Sequence, residues 1–492
     1  MRRLLCIVLA LSCLLTVVGC TSGSDVSEPL TSDGDSPTPQ DAPQTFAIPY
    51  SKEDTLNPYA ATTEVNLNLA SLLYDSLTVI DDTFTPRLSL AASVTATDAT
   101  HLAVTLREGA VFSDGSAVTA ADVKASYDAA RAAENYQKLV SNVIAATVDR
   151  KSGGIVFTLA KGDPNAAACL SFPIYKATAD TAAVGEAPVG GGAYVYTVGE
   201  NGAYLAANPR AKGEPKYATV PLRHLPNSDS MYYGLASGNI TYYYNDLNTG
   251  EVPRVSGASA KVDMNALVYL GVNGARESLA NPTVRRALSK LTDRDALAYT
   301  GFAGWATAAT LPFHPKWSGV QGIDPIFGKQ ELADAVELLK TAGQSKLELE
   351  LIYSIDSGNR GTLVDTVRTQ LESAGLRVTV TPLSYAEYLA RLQSGEYDLY
   401  IGEIRLTANM DLDAFFDGGD ARYGIRADSP AAEAYRRYRS GEGTVQEFIT
   451  AFGEDMPYIP LCWRCGFAAY DRRLLSVTPH GYDPYYGFTA WH

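Results

Sequence analysis

Alternating apolar positions followed by a helical pattern mark the most regular stretch of the chain. Leu102–Leu106 alternate apolar and polar side chains, which predicts a half-buried strand. An Asp-Gly turn signal follows, and Thr119 then precedes Asp122 by three residues, the spacing of a capping box. We therefore expect a strand, a turn and a helix that runs to about Asn135.

The middle of the chain has the pattern of β-structure. "GGGAYVYTVG" and "GAYLAANP" predict a hairpin, and "ITYYYNDL" predicts another strand. The three glycines at 190–192 precede a strand and lack the following helix that a phosphate-binding loop needs. They therefore indicate a turn.

Strands and helices alternate from about residue 282 onward. Asn281 and Pro282 are typical of a helix start, and Asp293 can cap a second helix. Beyond Gln330, "ELADAVELLKTAG", "RGTLVDTVRTQLESAG" and the segment after Ser384 predict helices, separated by strands that end with "YDLYIGEI". This β-α-β-α-β order implies an α/β fold with a mainly parallel sheet. Such sheets bind ligands beyond the carboxyl ends of their strands, so the loop after "YDLYIGEI" is a candidate site.

The N-terminus has the pattern of an export signal. A basic start is followed by about 15 apolar residues, too few to span a bilayer, and the run closes on Gly19-Cys20. Val17-Val18-Gly19-Cys20 resembles a bacterial lipobox, which implies lipidation of Cys20 after removal of signal peptide 1–19; an ordinary cleaved signal with a chance cysteine is the alternative. Residues 20–44 are rich in Ser, Thr, Asp and Pro and indicate a disordered stalk.

Composition narrows the classes of function. Without Arg2 and Arg3 the chain has 38 basic and 55 acidic residues, a formal charge of −17, which disfavours a nucleic-acid partner. The body from residue 45 exceeds one ordinary domain. Apart from the leader cysteines and Cys20, the chain has three cysteines, which excludes a disulfide scaffold.

Five segments together resemble the extracellular solute-binding proteins of family five, the peptide/nickel class. They are "LNPYAATTEVNLNLASLLYDSL", "LREGAVFSDGSAVTAADVKAS", "APVGGGAYVY", "NPTVRRALSKLTDRDAL" and "MPYIPL". The resemblance covers about residues 46–492. It implies a two-lobed periplasmic-binding-protein-like fold of the class II type, with an extra subdomain in the N-terminal lobe.

The resemblance also implies domains and partners. Lobe I is expected to contain residues 45–62, 185–265 and 456–492. The extra subdomain of lobe I is expected at 63–184, and lobe II at 266–455. The implied function is capture of a small solute, most readily a peptide, and its delivery to the permease and ATPase subunits of an ABC importer. The implied location is the outer face of the cell membrane, on the periplasmic side if the cell has an outer membrane.

The loop after "YDLYIGEI" departs from the family pattern. An aspartate there holds the α-ammonium group in peptide-binding relatives, and the matching position here is Ala408. Asn409 and Asp411 are the nearby polar candidates. Glu403 and Arg405 share one face of the strand and could bind the two ends of a zwitterion, or form a mutual surface pair.

Aromatic side chains are further candidates. Tyr242 and Tyr244 share a strand face and could contact a ligand, although core packing is the alternative for each. Trp463 could line the cleft from the strand "YIPLCWRCGFAAY", in which Cys462 and Cys465 are too far apart for a disulfide. His314 lies in an expected loop as a structural or ligand-contacting residue.

No catalytic motif of a hydrolase or nucleotide-binding protein occurs. No enzyme activity, metal or cofactor is therefore expected. Two alternatives stay open: a tethered extracellular hydrolase with an unrecognised carboxylate pair, and a solute sensor for a membrane kinase.

Overall fold

The computed structural model describes residues 45–177, 183–248, 257–358, 360–419 and 422–492. The predicted signal peptide, Cys20 and the stalk lie outside these described residues. Within the described ranges, none of the helices combines the length and apolar character needed to cross a bilayer.

The described residues form nineteen strands. They are β1 Ile48–Tyr50, β2 Asp75–Ser76, β3 Thr78–Ile80, β4 Pro86–Leu88, β5 Ala91–Asp98, β6 His101–Leu106, β7 Val143–Val148, β8 Ile155–Leu159, β9 Pro173–Ile174, β10 Tyr194–Gly199, β11 Gly202–Ala207, β12 Thr219–His224, β13 Tyr242–Asn245, β14 Ala258–Val272, β15 Ala306–Ala308, β16 Glu348–Ser354, β17 Arg377–Leu383, β18 Leu399–Arg405 and β19 Tyr458–Tyr470.

The helices cover the sheets or connect consecutive strands. They are α1 Glu64–Leu67, α2 Ala70–Leu73, α3 Ala120–Ala132, α4 Glu134–Gln137, α5 Ser228–Ala236, α6 Glu277–Ala280, α7 Pro282–Leu291, α8 Arg294–Phe302, α9 Leu332–Thr341, α10 Gly361–Glu372, α11 Tyr385–Ser394, α12 Asp413–Phe416, α13 Pro430–Ser440 and α14 Val445–Asp455. Short 3-10 turns occur at Ala166–Leu170, Ser318–Val320 and Phe488–Ala490.

Side-chain caps fix several helix starts where the sequence predicts them. Thr119 with Asp122 and Ser384 with Glu387 form complete capping boxes at α3 and α11. Asn281 accepts from the Thr283 amide, with Pro282 as the first residue of α7. The helix predicted to reach Asn135 is interrupted, since α3 ends at Ala132 and α4 follows at once.

The largest sheet is mixed, which corrects the expectation of a mainly parallel one. Its order is β13-β19-β14-β18-β16-β17, and β15 also pairs with β19. The pairs β16–β17 and β16–β18 are parallel, as the β-α-β-α-β pattern predicts. The pairs that β14 forms with β18 and β19 are antiparallel.

The strands β14 and β19 connect the two lobes of the α/β fold. Their pairing shifts register between Asp263 and Ala266, opposite Cys465 and Arg464. Residues of β19 before Cys465 pack in the core of the second lobe, and later residues such as Ala468 pack in that of the first. We therefore propose that the lobe boundary in β19 falls at Arg464–Cys465 rather than at residue 456.

The remaining sheets belong to the N-terminal half of the fold. The order β1-β12-β11-β10 forms one four-stranded sheet, and β5-β6-β8-β7 forms another. The second sheet has its own apolar core with α3, and all of its strands lie within 63–184. The core of this sheet lies within the expected extra subdomain 63–184, whereas Leu69, Leu72 and Leu73 of that range pack with Phe46 in the core of the first lobe.

Candidate functional site

A cavity of about 310 Å³ opens where parallel strands β16 and β18 end. The chain leaves β16 toward β17 on one side and later returns to β18 on the other, so this edge is a topological switch point. The loop 356–358 and Arg360 follow β16, and Glu403 and Arg405 are at the end of β18. The other residues that line this cavity are Leu247, Asn248, Gly301, Phe302, Trp305, Arg464 and Cys465.

Glu403 is held by two arginines. Arg464 Nε donates to Glu403 Oε1 at 3.0 Å, and Arg360 Nη2 donates to Glu403 Oε2. Burial alone would raise the pKa of Glu403, but the charges of Arg360 and Arg464 outweigh it and hold the pKa below its usual value. The carboxylate is therefore ionised and already neutralised by protein cations.

Arg405 has a different environment from Glu403, although both lie on one strand face as predicted. The Arg405 Nη2 donates to the Gly481 carbonyl at 3.0 Å, and Lys138 Nζ donates to the Arg405 backbone carbonyl at 3.1 Å. No described carboxylate lies within ion-pair distance of its guanidinium, so the alternative of a mutual pair with Glu403 is excluded. Arg405 thus presents an unpaired positive charge to the cavity.

A larger cavity of about 660 Å³ meets the smaller one at Arg405 and Asn248. Its walls come from α1, α2, the loop after β13, the end of β18 and the segment 480–484. A third cavity of about 310 Å³ shares Glu64, Tyr244 and Asp246 with it. The three cavities adjoin one another through these shared lining residues, and together they are called the cleft below.

Carboxylates dominate the larger cavity. Burial raises the pKa of Glu64 to about 7; the charge of Asp246 adds to this, and the charges of Arg405 and Arg464 oppose it. The Glu64 side chain is exposed to the cleft, but its carboxylate is surrounded by protein atoms of the cleft walls. Burial likewise raises the pKa of Asp75 to about 6. Both carboxylates therefore bind a proton at a higher pH than a carboxylate in free solution does.

Tyr244 lines the larger cavity, whereas Tyr242 does not. The two side chains share a strand face, as predicted, and both belong to one apolar core. The Tyr242 ring is fully buried against Trp491, and its hydroxyl donates to the Pro484 carbonyl at 2.6 Å. It therefore does not reach the cleft, because the C-terminal segment covers it.

Trp463 also lies in the core rather than in the cleft. Its ring is fully buried and packs against His314, with 5.2 Å between ring centroids. His314 is itself buried, which lowers its pKa to about 4. The strand reaches the cleft through Arg464 and Cys465 instead, which both line the smaller cavity.

Asn409 and Asp411 belong to a buried polar network beside the cleft, and neither lines its three cavities. Asn409 Nδ2 donates to Asp163 Oδ2 at 2.7 Å. Arg439 Nη1 donates to Asp163 Oδ1 at 2.9 Å and lies 3.7 Å from Asp411. Ala408, the position of the missing family aspartate, lines the larger cavity.

The sequence interpretation missed Arg360, Arg464, Glu64 and Asp246. Arg464 is the only charged residue within the apolar strand Tyr458–Tyr470, a signal of a buried functional or structural charge. Arg360 follows a parallel strand, where the topology rule predicts a site. For Asp246, no local signal distinguishes it from a turn residue.

The described part of the chain contains no cluster of side chains that could hold a metal ion. No three His, Cys, Asp or Glu side chains there approach closely enough to hold an ion. Cys169, Cys462 and Cys465 are free and buried.

Comparisons with known proteins agree with this architecture. The family model described as "Bacterial extracellular solute-binding proteins, family 5 Middle" matches residues 85–422. A glutathione-binding protein, GsiB of Salmonella typhi, is 26% identical over 389 residues, covering 73% of this chain and 74% of its own.

Two solved structures share the fold. The periplasmic murein tripeptide binding protein MppA, in its unliganded open form, has a TM-score of 0.74 at 16% identity and covers 90% of this chain and 97% of its own. A nickel ABC transporter structure from Bacillus halodurans has a TM-score of 0.72 at 18% identity and covers 88% and 96%. The chain belongs to the bacterial extracellular solute-binding proteins of family 5, the substrate-binding components of ABC importers.

Proposed function

We propose that the protein is a lipid-anchored extracellular receptor that captures a peptide in the interlobe cleft and delivers it to a membrane permease. The observation that carries this proposal is the cleft of adjoining cavities, which offers an unpaired arginine and several unpaired carboxylates to a ligand. A peptide has matching termini and can extend from the smaller cavity into the larger one. Among the related proteins, one binds glutathione and another a murein tripeptide.

With Ala408 at the position of the family aspartate, the α-ammonium group of a peptide would need a different partner in the cleft. A methyl group cannot bind an ammonium ion, so the position used by peptide-binding relatives gives no charge here. Glu64 and Asp246 provide carboxylates elsewhere in the same cleft. The ammonium group would therefore bind at the α1 side of the cavity.

The lipid anchor rests on Cys20 and on the composition of residues 20–44. A tether keeps a receptor near its permease where diffusion would otherwise remove it. Binding without turnover rests on membership of a solute-binding family. The ligand is expected to leave the protein chemically intact.

The test is native mass spectrometry of the protein purified from its own cells, followed by calorimetry with the released solute. Recovery of an intact peptide that rebinds supports the proposal. Steady hydrolysis of that peptide by the purified protein would favour a tethered hydrolase. A co-purified sugar or metal chelate would contradict the peptide assignment.

A further inference from the structure

We propose that the larger cavity selects solutes with a net positive charge, such as peptides that carry lysine or arginine side chains. This inference rests on the proposed function, because it specifies the ligand of the same cleft. The argument starts from the charges that line the cavity: Glu64, Asp75, Asp246, Asp483, Lys138 and Arg405.

Unpaired carboxylates outnumber unpaired cations in this cavity, by four to two. Among the residues that the structure describes, none of these six side chains forms an ion pair within 4.0 Å. Glu403 in the smaller cavity shows the contrast, because two arginines neutralise it. The formal charge of these six side chains is −2, and a net negative wall attracts cations and repels anions.

Asp246 is the most enclosed of these acids. Its residue is only 6% exposed, and its Oδ1 accepts a hydrogen bond from the Asn248 amide at 3.0 Å. Arg464 donates to the Asp246 backbone carbonyl and to the Asn248 side chain instead of the Asp246 carboxylate. A buried carboxylate without a cation is costly, and a ligand ammonium group would relieve that cost.

The other carboxylates extend the negative wall along the cavity. Glu64 accepts no hydrogen bond from another described side chain, and Asp483 accepts from Ser71 and the Tyr485 amide. Burial is the largest cause of the raised pKa values of Glu64 and Asp75, and nearby basic side chains oppose it without forming ion pairs with either carboxylate. A ligand with two separated cationic groups could therefore neutralise more than one of them.

The smaller and the larger cavity differ in the sign of the net charge on their lining residues, and this difference would orient such a ligand. The smaller cavity is lined by three arginines and two acids, Glu403 and Asp356. Arg405 lies where both cavities meet and can bind a terminal carboxylate through its guanidinium fork. The cationic side chains would then extend into the larger cavity.

The test compares three tetrapeptides of equal length by calorimetry: Ala-Lys-Lys-Ala, Ala-Gln-Gln-Ala and Ala-Glu-Glu-Ala. We expect the lysine peptide to bind at least about tenfold more tightly than the glutamine peptide, and the glutamate peptide to bind weakest. The preference should shrink at about 1 M salt because the charges are then screened. Spermidine is a fourth probe, since it has the charges without peptide groups.

Amino-acid substitutions test which carboxylates cause the preference for the lysine peptide. Asp246→Asn keeps the acceptor for Asn248, and together with Glu64→Gln it should remove most of the lysine preference while the glutamine peptide still binds. Glu200→Gln, an exposed glutamate outside the cleft, is the matched control and should leave the preference unchanged. Thermal unfolding confirms that each variant is folded.

The outcomes separate this inference from the proposed function. Equal affinity for the three peptides, or tighter binding of the glutamate peptide, overturns the charge inference and leaves the peptide receptor intact. Binding of spermidine without any peptide supports the charge inference and contradicts peptide capture. Failure of all four probes contradicts both.

Discussion

The buried pair of Asp163 and Arg439 gives the sharpest prediction for stability. Asp163 lies after β8, and Arg439 lies in α13, so the pair joins the extra subdomain to the second lobe. Both side chains are nearly inaccessible, with exposed fractions of 0% for Asp163 and 6% for Arg439. A Cβ added at Gly162 would meet the Arg439 carbonyl at 3.0 Å, so the two segments are in direct contact.

The perturbation is Asp163→Ala. Asp163 accepts from Arg439 at 2.9 Å, from Asn409 at 2.7 Å and from the Asn165 amide at 2.8 Å. Its removal leaves the Arg439 guanidinium buried with Asp411 as the nearest described carboxylate, 3.7 Å away. Loss of one partner of a buried ion pair costs roughly 3–5 kcal/mol, because the remaining charge is uncompensated.

A neighbouring ion pair is a matched control. Lys161 joins the same two regions by pairing with Asp413 at 2.9 Å and with Asp417, but its side chain is 49% exposed. Solvent screens this interaction, so Lys161→Ala should cost only about 0–1 kcal/mol. The two variants differ mainly in burial, which is the variable that the prediction tests.

The assay is urea unfolding followed by circular dichroism and tryptophan fluorescence, with midpoints compared at equal slopes. We expect Asp163→Ala to lower the midpoint strongly and Lys161→Ala to shift it slightly. A cost below about 1 kcal/mol for Asp163→Ala would refute the reasoning. So would equal costs for the two variants.

Three further predictions concern the anchor and the cleft. Cys20→Ser should release the protein from the membrane or leave an uncleaved precursor, as shown by fractionation and fatty-acid labelling; a cleaved, lipid-labelled variant would contradict it. Arg405→Ala should weaken calorimetric binding of the co-purified solute by about 30-fold or more, because a charge-assisted contact in a closed cleft is lost; a change below about threefold would remove Arg405 from the site. Binding of a cation should release protons between about pH 6 and 8, because the pKa of free Glu64 is about 7 and a cation lowers it, with Asp246, Arg405 and Arg464 as the charged groups that face it. Calorimetry in two buffers of different ionisation enthalpy measures this release, and the same release from Glu64→Gln would exclude Glu64 as its source.

Local signals in the sequence were sufficient for many individual elements. The capping boxes at Thr119 and Ser384 and the proline at the start of α7 define helix starts because all their partners lie within three residues. The β-α-β-α-β pattern predicted the parallel strands β16, β17 and β18. Strand alternation placed Glu403 and Arg405 on one face, and the topology rule placed that face at a cavity.

Local signals failed where distant segments meet. Strand β19 is antiparallel to β14 and crosses both lobes, which depends on pairings nearly 200 residues apart in the chain. The roles of Tyr242 and Trp463 were open in the sequence, because alternation gives a face but does not say what covers that face. The C-terminal segment covers Tyr242, and the second-lobe core encloses Trp463.

Sequence patterns alone were sufficient to assign the family, the α/β class and the residues that end β18. Which charges are satisfied became visible only in the folded structure. Glu403 lies 61 positions from Arg464 and 43 from Arg360, so no periodic pattern could show that it is neutralised. Folding brings these arginines to Glu403 and leaves Glu64, Asp246 and Arg405 unpaired among the described residues, because packing of distant segments, rather than local propensity, decides which charges meet.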